Sequence, residues 1–176
     1  MTQTLLDQAL VEEATKKSGL IWVRGAGVAA ERALWHGWLD GAAYVVGGGP
    51  GEQPLDGLVD GGTAEVIVRS KDKGGRLVAW TAAVSEVAAG TEPWDTAVAE
   101  LKGKRLNAPD GEAMTARWAA QCRLLRLTPT GPLGAFSDGS LATPPVPTPA
   151  TTRHPVPAGL PKLLFKRRKA KTNPGA

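Results

Sequence analysis

Cysteine and histidine are almost absent: one Cys and two His in 176 residues. The single Cys122 excludes an intramolecular disulfide framework and a cysteine-built metal cage, and it suits a reducing cytoplasm. Of the histidines, His36 lies in the body of the chain and His154 in a proline-rich stretch, which leaves too few ligands for a histidine-based metal site in the body. No run approaches the roughly 18 apolar residues of a membrane span. The N-terminus, MTQTLLDQALVEEATKK, carries acidic residues and no uninterrupted apolar core, so it does not read as a secretory signal. These absences point to a cytoplasmic protein. There is no G-x-S-x-G nucleophile elbow and no dinucleotide fingerprint opening a helix. Acid is missing from the last 26 residues, which hold seven Lys/Arg; residues 1–150 carry a net charge of −3. The overall charge of +4 therefore belongs to the tail and says little about the body.

The most telling stretch present is ALWHGWLDGAAYVVGGG, residues 33–49. It reads as strand, Asp40-Gly41 turn and strand, because glycine supplies the positive φ that a two-residue hairpin turn needs. The loop 47–62 follows, with seven glycines and with Glu52, Asp56 and Asp60 but no Lys, Arg, Ser or Thr. Before the hairpin, an amphipathic helix is expected over Thr4–Lys17, capped by Thr4 with Asp7 in its first turn. Leu5, Leu6, Ala9, Leu10 and Ala14 would form its apolar face, and Lys16 and Lys17 suit its C-terminal end. Strands are expected over Leu20–Arg24, Arg32–Leu39 and Ala42–Val46. A second hairpin pairs Thr63–Ser70 with Arg76–Val87 across a turn at 72–75. A helix follows over Thr91–Leu106, with Trp94, Ala97, Val98 and Leu101 on one face. Asp110 caps a shorter helix through Trp118, and Gln121–Thr128 is the last strand. Residues 131–161 form a Pro/Gly/Thr-rich linker and residues 162–176 a basic tail around KLLFKRRKAK. The fold class is α+β: a small antiparallel barrel over residues 1–130, an N-terminal helix, a helical insertion before the last strand, and an irregular C-terminal tail.

This order of elements resembles the split β-barrel superfamily of pyridoxamine-5′-phosphate-oxidase-like flavin-binding proteins, over about residues 5–130. The hallmark segment of that family, a P-V-W-F-V-W-D-D-G-x-L-Y-V-like pair of strands, stands here as ALWHGWLDGAAYVV. The resemblance implies a homodimer holding FMN or a deazaflavin across its interface, with heme in some members. It further implies a phosphate held by a strand-borne Arg or Lys and a Ser/Thr/Lys loop. The loop after the third strand departs from that pattern by being acidic.

The candidate cofactor-binding residues are Trp35, His36, Gly47, Gly48, Gly49, Arg69, Ser70, Lys71 and Trp80. The aromatic rings offer walls for a planar cofactor. His36 offers a hydrogen bond to its ring or an axial heme ligand. Backbone N–H groups of the three glycines offer an anion nest. Arg69-Ser70-Lys71 offers a phosphate clamp. Trp35 and Trp38, three apart on a strand, should face opposite sides. Cys122, in an apolar strand, reads as inert packing, and no catalytic residue is self-evident. Two functions fit. One is an FMN or deazaflavin protein passing a hydride to a small molecule. The other is a non-enzymatic dimeric scaffold whose basic tail docks on an anionic partner, without sequence-specific nucleic-acid reading.

Overall fold

The computed structural model describes residues 2–71, 75–106, 108, 110–131 and 133. The chain runs α1 (Thr2–Lys17), β1 (Leu20–Arg24), β2 (Arg32–Trp35), β3 (Gly37–Leu39), β4 (Ala42–Gly47), β5 (Thr63–Arg69), β6 (Arg76–Glu86), α2 (Glu92–Lys104), α3 (Met114–Gln121) and β7 (Arg123–Thr130), with a 3-10 turn at Gly111–Ala113. The seven strands form one antiparallel sheet in the order β2-β1-β5-β6-β7-β4-β3. This is the α+β barrel with an N-terminal helix and a helical insertion before the last strand that the sequence implied. The linker, the basic tail and the turn at 72–74 lie outside the described residues, apart from positions 131 and 133.

The two edges of the sheet are consecutive in the chain. The expected strand Arg32–Leu39 breaks at His36: its first half pairs with β1, Trp35 opposite Leu20, and its second half pairs with β4, Gly37 opposite Tyr44. One stretch of backbone thus belongs to both edges and nearly closes the barrel. The Asp40-Gly41 turn has φ angles of 48° and 72°, the positive pair that a tight hairpin turn requires.

Gln53 fills the split. In the β3–β4 register Trp35 would stand opposite Val46, but that ladder stops at Gly37. The Gln53 carboxamide lies there instead. The Trp35 N–H donates to its Oε1 at 2.9 Å, and its Nε2 donates to the carbonyls of Trp35 and Val46 at 3.0 Å each. A primary amide has the donor and acceptor of a peptide, so one side chain stands in for a missing strand residue. Gln53→Leu keeps the volume and removes these bonds. It should cost about 2 kcal/mol, because backbone groups are left unpaired in a half-buried gap. The urea midpoint measures this, and an unchanged midpoint would show that the split closes without Gln53.

The barrel interior is apolar, built from Ile21, Val23, Leu34, Trp38, Val45, Val66, Val68, Val78, Trp80, Val84, Leu125 and Leu127. Trp38 and Trp80 meet there edge to face, with ring centres 6.3 Å apart. A second cluster lies outside the barrel under α2 and α3, where Trp94, Ala97, Val98 and Leu101 are buried as their helical spacing required. Trp35 packs on that side, 6.0 Å from Trp118, so Trp35 and Trp38 do face opposite ways. The reading of α1 needs correction. The helix begins at Thr2, two residues before the expected cap, and Asp7 lies beyond its first turn. Val11 and Thr15 are the buried positions, while Leu5, Leu6 and Leu10 are exposed. The sheet offers α1 only a narrow contact, and Val11 and Thr15, one turn apart, occupy it.

Candidate functional site

A cleft opens beside the bend at His36. It has a volume of about 610 Å³ and is lined by Trp35, His36, Lys71 and the C-terminal residues of α1 and α2. The fold gathers it from four places: the end of α1, the β2–β3 break, the chain just after β5, and the end of α2. This volume lies within the range of small-ligand sites.

His36 is 3% exposed, and its Nε2 lies 3.0 Å from the Thr15 carbonyl oxygen. A carbonyl only accepts, so Nε2 carries the ring proton and Nδ1 keeps its lone pair. That Nδ1 is buried and has no partner among the described residues. Burial pushes the pKa of His36 down to about 4; the bond to Thr15 opposes the shift and the charge of Lys104 adds to it. The imidazole is therefore neutral at pH 7.

Of the sequence candidates, Trp35, His36 and Lys71 share this cleft. Arg69, Ser70 and Lys71 border a neighbouring apolar cavity of about 520 Å³ with Leu10, Ala14 and Leu77. Lys17, Ser18 and Lys71 border both cavities. Arg69 already has partners: it pairs with Glu31 at 2.5 Å and lies 4.8 Å from the ring centre of Trp22. Trp80 is in the barrel core and touches a third cavity, of about 570 Å³, near the β1–β2 loop.

The three glycines stand apart from all of these cavities, and Gly47 and Gly49 are closely packed by their own chain. A Cβ on Gly47 would lie 2.3 Å from the Gln53 carbonyl oxygen, and one on Gly49 would lie 2.5 Å from Cys122 Sγ. The Gly48 N–H donates to the Gln53 carbonyl at 2.9 Å, and Gly47 stands opposite Arg123 in the β4–β7 ladder. One of the three acidic side chains of the same loop turns inward. The Glu52 side chain is fully buried, and its carboxylate accepts from Arg105 Nε at 3.1 Å, Arg117 Nη2 at 2.9 Å and Trp118 Nε1 at 3.0 Å. Arg117 also binds Asp110, at 2.5 Å, and the Pro50 carbonyl, at 3.0 Å. That ion pair holds the Asp110 carboxyl below, and the Arg117 guanidinium above, their ordinary ranges. Burial raises the Cys122 thiol, in keeping with inert packing.

Sequence reasoning missed the cations that accompany Lys71 at the cleft. Lys16 and Lys17 registered only as a helix-end complement, and nothing in the local pattern of Lys104 or Arg105 signals that α2 ends beside α1.

No family model matches this sequence, and no curated protein matches it. Solved structures do. HutZ, the heme storage protein of Vibrio cholerae, is 14% identical with a TM-score of 0.52, over 70% of this chain and 90% of that one. A general stress protein 26 from Jannaschia is 13% identical with a TM-score of 0.47, over 73% and 75% of the two chains. The flavocytochrome Anf3 of Azotobacter vinelandii is 15% identical with a TM-score of 0.40, over 88% and 85%. At such identities the likeness extends to the fold alone, and the HutZ match carries it. Among the described residues no helix is long and apolar enough to cross a membrane.

Proposed function

We propose that this chain is a cofactor-binding split-barrel protein that takes FMN or a related deazaflavin, with heme as the alternative occupant, and passes a hydride to a small molecule. One observation carries the reading: the bend of the split barrel brings Trp35, His36 and Lys71, distant in sequence or in chemistry, to one cleft with a basic rim. The residues present suit a planar anionic group better there than on the glycine loop, where Gln53 and Cys122 fill the space at Gly47 and Gly49. When bound, such a cofactor supplies the redox chemistry. The chain's own part is to hold and orient. Trp35 offers an indole face beside the neutral ring of His36, and Lys71 draws a negative group to the rim. HutZ, which shares the fold, is a heme storage protein, and this keeps heme beside flavin as an arm of the test.

The reading includes a homodimer. Leu5, Leu6, Leu10, Leu20 and Leu77 are exposed on α1, β1 and β6, and burying them against a second copy would remove that apolar surface from water. Light scattering checks it, with a monomeric mass at micromolar concentration as the contrary result.

The decisive test is the absorption spectrum of the natively purified protein, followed by titration with FMN, a deazaflavin and hemin. Saturable binding of one of them is expected, with Trp35→Ala weakening it by about tenfold as a ring contact is lost. A colourless protein that binds none of the three overturns the proposal.

A further inference from the structure

Five cationic side chains meet at the cleft from three separate parts of the chain: Lys16 and Lys17 at the end of α1, Lys71 after β5, and Lys104 and Arg105 at the end of α2. No carboxylate lines the cavity. Helix ends alone do not account for this. Basic residues complement the negative end of a helix dipole, but each end amounts to about half a charge. Two helix ends together offset about one of the five cations.

Ion pairs occupy four of the five. Lys16 pairs with Glu12, Lys17 with Glu13 at 2.7 Å, and Lys104 with Glu100 at 3.1 Å, all at i,i+4 spacing on exposed faces. Such pairs are worth about 0.2–0.5 kcal/mol each, so a ligand easily redirects these lysines. Arg105 differs, because it is committed to the buried Glu52. The cleft therefore has four ammonium groups without a buried partner, contributed by α1, the chain after β5 and α2, around a buried, neutral imidazole.

We propose that the cleft contains a subsite for a multiply charged anionic group, a phosphate ester or a polycarboxylate, gripped chiefly by Lys71 and Lys104, which come from different elements. A single negative charge would meet only part of this field, whereas two or more would engage lysines from different elements at once. A ligand bearing such a group would extend its body toward Trp35. The subsite concerns charge and not the ring, so it stands independently of the flavin reading.

The test uses the full chain and inorganic pyrophosphate, titrated calorimetrically at low and high salt, with citrate as the carboxylate arm. Saturable binding is expected, weakened about tenfold or more by Lys71→Glu with Lys104→Glu, and weakened by salt. Lys71→Gln with Lys104→Gln should fall between, with an unchanged urea midpoint that separates lost binding from lost folding. Arg167→Gln with Arg168→Gln, in the basic tail, should bind as the parent does. A second readout is the His36 ring titration by NMR. A bound anion beside Lys16, Lys17, Lys71, Lys104 and Arg105 should move its pKa upward from about 4. The inference is overturned if neither anion binds, if the cleft substitutions leave binding unchanged, or if the tail substitutions abolish it. Pyrophosphate binding that depends on Lys71 and Lys104, in a protein that takes up no FMN, deazaflavin or hemin, would remove the cofactor reading and leave the subsite standing. FMN binding in a protein that binds neither pyrophosphate nor citrate would do the reverse.

Discussion

Glu52→Ala should cost about 3–5 kcal/mol of stability, the usual result of removing one partner from a buried charge pair. The Glu52 side chain has no exposed surface, whereas Arg105 and Arg117 are 20% and 18% exposed. Without the carboxylate, Arg105 loses its counter-charge in a restricted space, Arg117 keeps only Asp110, and the Trp118 N–H loses its acceptor. The damage would not stay local. Glu52 ties the loop after β4 to the end of α2 and to α3, while Gln53, the next residue, closes the barrel split. Glu52→Gln keeps an acceptor oxygen but discards the charge, so it should lose clearly less than Glu52→Ala. Urea unfolding of the three proteins measures the series. Equal stability of the alanine variant and the parent would mean that the network is decoration and that the loop is held by its backbone contacts.

This loop shows how much the sequence disclosed. The barrel was legible because its signals are local: period-two alternation in β5 and β6, the Asp40-Gly41 turn, and the apolar face of α2. The loop 47–62 was legible as glycine-rich and acidic, and its glycines suggested a nest for a phosphate. At Gly47 and Gly49 the open faces are instead filled by Gln53 and Cys122, and Glu52 meets arginines more than 50 residues further on. Nothing within the loop signals Arg105 or Arg117, because such pairs are fixed only when α2 and α3 pack on β4. The same holds for α1. Its leucines repeat at helical spacing, but which positions of the helix are covered depends on a sheet built from residues far along the chain, and it covers Val11 and Thr15 instead. The break at His36 was hidden for a different reason. Arg32–Leu39 has the residue pattern of one strand, and only barrel closure divides it between two neighbours. Of the cleft, the residues on that break were readable and the lysines at the two helix ends were not.

The break at His36 also predicts how stability follows pH. The folded imidazole titrates at about 4, against an unfolded value near 6.5. Between these values the unfolded chain binds a proton that the folded chain refuses, so stability rises with pH across that window. The contribution of His36 is complete above pH 6.5 and is lost as pH falls toward 4. The loss amounts to about 2 kcal/mol by pH 5 and about 3 kcal/mol once both states are protonated. The cause is physical and specific: the ring lies under α1 with its Nε2 proton on the Thr15 carbonyl, and a second proton on Nδ1 would be buried without an acceptor and close to Lys104. Urea midpoints at pH 7, 6, 5 and 4 should fall steeply for the parent. His36→Gln, though less stable at pH 7, should lose much less over the same range, since it removes the titrating group. Carboxylates such as Asp110, which Arg117 holds ionised, contribute only below the ordinary carboxylate range. They cannot produce the slope between pH 6.5 and 5. Parallel curves for parent and variant in that interval would show that the buried ring is not what ties α1 to the split.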